Sequence, residues 1–211
     1  MRDEIAQKVA RYLLQSKAIK LEPTNPFTWA SGWKSPIYCD NRITLSYPEV
    51  RNYIKEAFCS IIREEYPAVE LIAGVATGGI PQGALVAEEL NLPFIYVRAA
   101  PKSHGLENLI EGLVQPGKKV VVIEDLISTG GSSLKAVDAI LDSGMLVEGM
   151  CAIFTYGFKL AEESFHDKKC RLITLSDYSV LIKEAVQSGY IKEEQLEQLT
   201  KWREDPASWR V

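Results

Sequence analysis

The sequence predicts an α/β fold: a mostly parallel, twisted sheet flanked by helices, with a small N-terminal cap. Three observations carry this expectation. From residue 71 onward, short apolar runs alternate with helix-period segments, a pattern that calls for right-handed crossovers and parallel strands. Val120-Val121-Val122-Ile123 is a run of four β-branched residues, the composition of a central strand buried on both faces. An acidic pair, Glu124-Asp125, follows it, then a small hydroxyl- and glycine-rich turn, then a helix. Open α/β sheets bind ligands at this carboxyl end of their strands.

The elements follow in chain order. Ile5, Val9, Tyr12 and Leu13 recur at helical spacing, so the chain opens with an amphipathic helix. Residues 22 to 48 carry four prolines and several aromatics without a long period. They read as an ordered irregular segment with a short strand at Pro36–Cys39, and residues near 20–45 are expected to form the cap. Ser46 and Glu49 have the spacing of a capping box. Val50, Tyr53, Ile54, Ala57, Phe58, Ile61 and Ile62 then continue a helix. Leu71–Val75 reads as a strand, Pro81–Leu90 as a helix and Phe94–Val97 as a strand. Residues 98–117 have no firm period. A strand at 119–123, a helix at 132–143, strands near 146–155 and 171–175, and tail helices at about 178–188 and 192–203 complete the pattern. No repeat or linker divides the chain, so residues 1–211 are expected to form one domain.

Bulk properties narrow the function. The 211 residues are 46% hydrophobic and 25% charged, with net charge −4. A chain this long buries about 70% of its unfolded surface. Its acidic balance argues against nucleic acid as a partner. No run of about 18 apolar residues suggests a membrane span, and Met1–Ile5 shows no signal core. Cysteines stand at 39, 59, 151 and 170, none in C-x-x-C spacing, beside only two histidines. That pattern argues against a structural zinc site and fits reduced thiols in a cytoplasmic setting. Cys59 and Cys151 lie in apolar segments and are expected to be buried. Gly112–Lys118 fits G-x-x-x-x-G-K, but Lys119 stands where Ser or Thr is needed and a strand follows, so a P-loop is rejected.

Four stretches carry the chemistry. In the first, Glu124 and Asp125 precede Leu126, Ile127, Ser128, Thr129, Gly130, Gly131 and Ser132. Small residues there let backbone amides approach a phosphate, and the next helix aims its N-terminus at the same anion. Carboxylates beside a phosphate cradle suit a sugar phosphate, although a Mg²⁺ site or Walker B strand shares the order. The second, Gly74-Val75-Ala76-Thr77-Gly78-Gly79-Ile80-Pro81, is a glycine-rich strand-to-helix turn, either an ordinary connection or a second phosphate loop. The third runs from Arg98 to Asn108 and includes Lys102 and His104. It is either a solvated loop or a cationic lid over an anion. The fourth, Phe27 to Arg42, mixes Trp29, Trp33 and Tyr38 with Ser, Lys and Arg. It is either a packed cap or a binding surface for a flat anionic ring.

Together these stretches resemble orotate phosphoribosyltransferase, a type I phosphoribosyltransferase. Ser31-Gly32…Ser35-Pro36-Ile37-Tyr38, Tyr96-Val97-Arg98, Lys102-Ser103-His104-Gly105 and Ile123-Glu124-Asp125…Gly130 lie in family order. The resemblance implies that fold and transfer of the 5-phosphoribosyl group from 5-phosphoribosyl-1-diphosphate (PRPP) to orotate. The products would be orotidine 5′-phosphate and pyrophosphate, in pyrimidine synthesis. It implies Mg²⁺ held mainly by PRPP, with no direct protein ligand assigned. It also implies a homodimer whose lid, 98–117, reaches the partner's site. Lys102, His104 and Asp125 would be catalytic. PRPP would meet Arg98, Lys102, His104, Glu124–Ser132, Thr77, Gly78 and Gly79; orotate would meet Ser128 and Tyr38. Ala30, Ala99 and Gly78 stand where the family often has Lys. The competing readings are a phosphoribosyltransferase for another nucleobase and a PRPP-binding regulator.

Overall fold

The computed structural model describes residues 2–29, 32, 34–100 and 109–209. Helix α1 (Arg2–Gln15) buries Val9, Ala10, Leu13 and Leu14, the stripe its spacing foretells, and packs on the C-terminal part of the sheet and its neighbouring helix. The cap follows. Strand β1 (Ile19–Leu21) pairs antiparallel with β4 (Ile37–Cys39), and β2 (Phe27–Thr28) pairs antiparallel with β3 (Lys34–Ser35) between them. A short 3-10 helix, Asn41–Ser46, leads into α2 (Pro48–Glu65).

The start of α2 departs from expectation. Ser46 ends the 3-10 helix, Tyr47 is the cap residue without a side-chain bond, and Pro48 takes the first helical position. Proline is preorganised for that position and has no N–H to satisfy, so the capping box is not formed. Glu49 instead accepts a hydrogen bond from the Tyr12 hydroxyl at 2.7 Å.

The central sheet has six strands: β5 (Leu71–Val75), β6 (Phe94–Val97), β7 (Ile110–Glu111), β8 (Lys119–Ile127), β9 (Leu146–Thr155) and β10 (Leu172–Asp177). Their spatial order is β10-β9-β8-β5-β6-β7, parallel except for β7. Side chains of β8 alternate between two cores. Val121 and Ile123 join the core under α1, α2, α3 (Gly79–Leu90) and α6 (Tyr178–Gln187). Val120 and Val122 join the core under α4 (Gly131–Asp142) and α5 (Lys159–Asp167). Two-sided burial is why this segment reads as continuous hydrophobic sequence. The chain ends in a 3-10 turn, Glu193–Gln195, and α7 (Leu196–Glu204).

Three elements differ from the sequence reading. Strand β8 runs on to Ile127, so the acidic pair lies within it. Helix α5 was not anticipated, because only Ala161 and Phe165 are buried along it and two apolar positions make a faint stripe. The stretch 98–117 is not wholly patternless. Ile110–Glu111 pairs with β6, and the Arg98 amide donates to the Leu109 carbonyl at 2.8 Å. The lid candidate is therefore bounded by Arg98 and Leu109. Gly112–Lys118 forms the turn before β8, with Lys118 paired to Glu70 at 2.7 Å. Cys59 and Cys151 are fully buried, and all four cysteines are free thiols.

Candidate active site

The phosphate cradle is built where β8 hands the chain to α4. Ser128, Thr129 and Gly130 form the turn, and Gly130 has φ +83°, a conformation that costs glycine little and other residues more. A Cβ at Gly130 would also meet the Phe165 ring at 3.0 Å, whereas one at Gly131 would meet nothing within 4 Å. The turn is thus packed against α5 on one side and open on the other. No side chain caps α4, and its first turn has no acidic residue. Its leading amides are left for an anion.

The two carboxylates have separate environments. Glu124 is 5% exposed. Its Oε2 accepts from the Ser133 hydroxyl at 2.8 Å and its Oε1 from the Asp125 amide at 3.0 Å. Burial, followed by the neighbouring Asp125 charge, pushes its pKa up to about 8. In this arrangement Glu124 braces the strand against α4. Asp125 is half-buried, and its carboxylate lies over Gly78 of the second glycine-rich turn. A Cβ at Gly78 would collide with that carboxylate, and one at Gly79 with the Ile123 carbonyl oxygen. The two loops therefore meet through close backbone approach. The peptide bond Ala76–Thr77 is cis, and Thr77 is exposed. Asn41, buried at the start of the cap's 3-10 helix, donates from Nδ2 to the Asp125 carbonyl at 2.5 Å. That bond ties cap to sheet beside the acidic pair.

Next to the cradle is a pocket of about 300 Å³ lined by Thr28, Trp29, Tyr38, Cys39, Leu126, Ser128 and Tyr156. Cap residues form one side and the ends of β8 and β9 the other. Trp29 and Tyr156 lie 5.4 Å apart, ring centre to centre, and Tyr38 packs on Phe27 at 5.7 Å. The Trp29 indole donates to the Ile37 carbonyl at 3.2 Å. Burial, then the Asp125 charge, holds the Cys39 thiol well above its usual pKa, so it lines the pocket as a neutral group. A flat, mostly apolar slot with a few polar groups suits an aromatic ring. Ser128 belongs to both pocket and cradle.

Residues 45–188 match the family described as phosphoribosyl transferase domain. Over 202 residues the chain is 64% identical to orotate phosphoribosyltransferase of Phocaeicola vulgatus, covering 96% of this chain and 95% of that protein. Over 207 residues it is 57% identical to the Porphyromonas gingivalis orotate phosphoribosyltransferase, covering 98% and 99%. The chain belongs to the orotate phosphoribosyltransferase family. The crystal structure of the Aeropyrum pernix orotate phosphoribosyltransferase superposes with a TM-score of 0.74 at 25% identity, covering 87% of this chain and 99% of that one. The fold is that of the type I phosphoribosyltransferases, as the resemblance implied.

Among the expected site residues, Asp125, Ser128–Ser132 and Thr77–Gly79 converge at one end of the sheet, with Tyr38 and Leu126 on the adjoining pocket. Ile127 is fully buried, and its carbonyl accepts from the Tyr156 amide at 3.2 Å and the Thr155 hydroxyl at 3.3 Å. Its side chain belongs to the core, so a contact with PRPP would fall to its backbone. Arg98 lies beyond β6 with Nη1 3.6 Å from Glu111 Oε1. Lys102, His104 and Ala30 lie outside the described residues. Gly78, where the family often has Lys, has no room for a side chain while Asp125 keeps its position. Sequence reasoning missed Tyr156, and gave no role of their own to Asn41, within the stretch from Phe27 to Arg42, or to Ser133, at the start of the helix after the cradle. The alternation Phe154-x-Tyr156-x-Phe158 at a strand end was a usable signal for the first; single polar residues gave none for the others.

Proposed function

We propose that the chain transfers the 5-phosphoribosyl group of PRPP to orotate, releasing pyrophosphate, as a step of pyrimidine synthesis. The observation that carries this is one residue wide: Ser128 ends the aromatic slot and begins the phosphate cradle. A base in the slot and a 5′-phosphate in the cradle would place the ribose between them, beside Asp125. The C1–oxygen bond to the diphosphate breaks as the C1–nitrogen bond to the base forms. Charge builds on the leaving oxygens while the ribose gains oxocarbenium character.

Within this reading the α4 amides and the Ser128–Ser132 turn hold the 5′-phosphate. Asp125 accepts from the ribose hydroxyls and favours the cationic ribose. The Thr77–Gly79 turn receives the diphosphate. Glu124, whose pKa burial raises, keeps the Asp125 backbone in place. Lys102 and His104 are the lid cations, with Arg98 at its base, that neutralise the leaving group. The described residues hold no cluster of three or more His, Cys, Asp or Glu suited to a metal. Mg²⁺ would be held mainly by PRPP oxygens and water, with Asp125 the carboxylate nearest the second glycine turn. When bound, the ion would neutralise the diphosphate.

Residues 1–211 are proposed to act as one domain, because both cores share one sheet and Asn41 ties the cap to it. The proposed assembly is a homodimer in which the segment between Arg98 and Leu109 reaches the partner's site; it rests on family membership. Among the described residues no helix is long and apolar enough to cross a membrane, and the free thiols support a cytoplasmic setting. The deciding test is orotate absorbance with purified protein. Loss of signal that requires both PRPP and Mg²⁺ is expected. No loss with orotate, together with turnover of another nucleobase, would overturn the assignment.

A further inference from the structure

We propose that Trp202, on tail helix α7, is a positioning residue for the base: it sets the orientation of Trp29 and Tyr156, the two rings that wall the slot. The proposal rests on reading that slot as the base site. Trp202 does not line it. Its role follows from where the two wall residues sit. Trp29 lies just past β2, and Tyr156 one residue past β9. Neither is inside a regular element; the Tyr156 amide bond to Ile127 and the Trp29 indole bond to Ile37 each fix one point, and packing sets the ring planes.

Phe154 and Phe158 also pack on Tyr156, at 5.8 and 5.4 Å, but Trp202 is the ring that meets both walls. It is fully buried and meets Trp29 at 5.6 Å and 84°, and Tyr156 at 5.7 Å and 82°. Both contacts are edge-to-face, the geometry ring quadrupoles favour. Phe158 and Tyr178 hold Trp202 from behind, each at 5.5 Å. The Tyr178 hydroxyl donates to the Leu199 carbonyl at 3.0 Å, which pins α7 to the start of α6. Among the described residues the buried Trp202 indole N–H has no hydrogen-bond partner. Hydrogen bonding thus gives no reason for tryptophan here, whereas ring size and two orthogonal contacts do. The family match ends at residue 188, and Trp29 precedes its start at 45. Base recognition is thereby assigned in part to the two ends of the chain, outside the shared sugar-phosphate machinery.

The test combines kinetics and crystallography on Trp202→Ala, Trp202→Leu and Trp202→Phe. Truncation to Ala or Leu should raise the orotate KM about tenfold or more, as expected for a wall that loses its aromatic backing. The PRPP KM should change less than about twofold, since cradle contacts are untouched. Trp202→Phe should restore the orotate KM to within about threefold, because a ring still backs the wall. Crystals of Trp202→Leu without substrate should show the Trp29 and Tyr156 rings turned from their present angles. Equal rises in both KM values, a loss confined to kcat, or unmoved rings would overturn the proposal. Should the wild-type protein use another nucleobase in place of orotate, the functional reading falls alone, and the KM of that base with the ring positions decides this one. Should Trp202→Ala fail to fold, Trp202→Leu and Trp202→Phe carry the comparison.

Discussion

The cradle and the base slot lie side by side yet are built in opposite ways. The cradle is local: Asp125 and the turn from Ser128 to Ser132 are consecutive, and the second turn, Thr77–Gly79, leaves the neighbouring strand. The slot is assembled from distant pieces. Trp29 and Tyr38 come from the cap, Leu126 and Ser128 from the end of β8, and Tyr156 from the end of β9. Backbone amides bind phosphate whatever the side chains are, so a short glycine- and serine-rich turn suffices for it. A flat base needs walls at a set spacing, and no single segment can present two faces to it. The comparison predicts that substitutions in the two regions separate kinetically, with PRPP parameters moving in one and orotate parameters in the other.

The largest effect should come from neither region. Lys102→Ala is expected to lower kcat by about 100-fold or more, the scale of one lost transition-state donor, while the thermal midpoint stays unchanged. Stopped-flow turnover near the wild-type value would remove Lys102 from the chemistry and leave the cradle to carry it.

Next is the pH dependence of stability, which tests the bracing role of Glu124. Its folded-state pKa is raised, to about 8 from 4.5. Between those values the unfolded chain has lost a proton that the folded chain keeps. Stability of the free protein should therefore fall as pH rises through that window and level off above it, by on the order of a few kcal/mol. Urea melts at several pH values would show it, and Glu124→Gln should flatten that component. An unchanged slope in Glu124→Gln would mean that Glu124 titrates normally.

Gly78→Ala sharpens the contrast directly. The new methyl group would displace the Asp125 carboxylate. The PRPP KM should rise about tenfold, the cost of roughly one misplaced hydrogen-bonding group, with the orotate KM little changed. A matching rise for orotate would break the separation of the two regions. The smallest effect is expected for Asn41→Ala, which removes the bond from the cap to the Asp125 carbonyl. A loss of about 1–2 kcal/mol in unfolding free energy, with both KM values altered, would mark the cap as the bridge between cradle and slot. A purely thermal effect would make it structural only.

By itself the sequence determined the sheet's central strands, the helices α1 to α4, α6 and α7, the cradle and the second glycine turn. Each of these is encoded by neighbours in the chain: β-branched runs, helical apolar spacing, small residues at a strand end. The family, too, was legible from short motifs in order. Tertiary structure alone decided the rest. It extended β8 beyond the acidic pair, because pairing with β9 continues through Leu126 and Ile127. It put Ile127 into the core and gave Glu124 to Ser133, a partner nine residues on. It placed Pro48, not Ser46, at the start of α2, and made a helix of 159–167 from two buried positions. Above all it brought Trp29, Tyr156 and Trp202 together. Contacts between residues 46 to 173 positions apart leave no period and no motif, because what selects them is the shape of the space the folded sheet leaves open, and that shape does not exist until the sheet does.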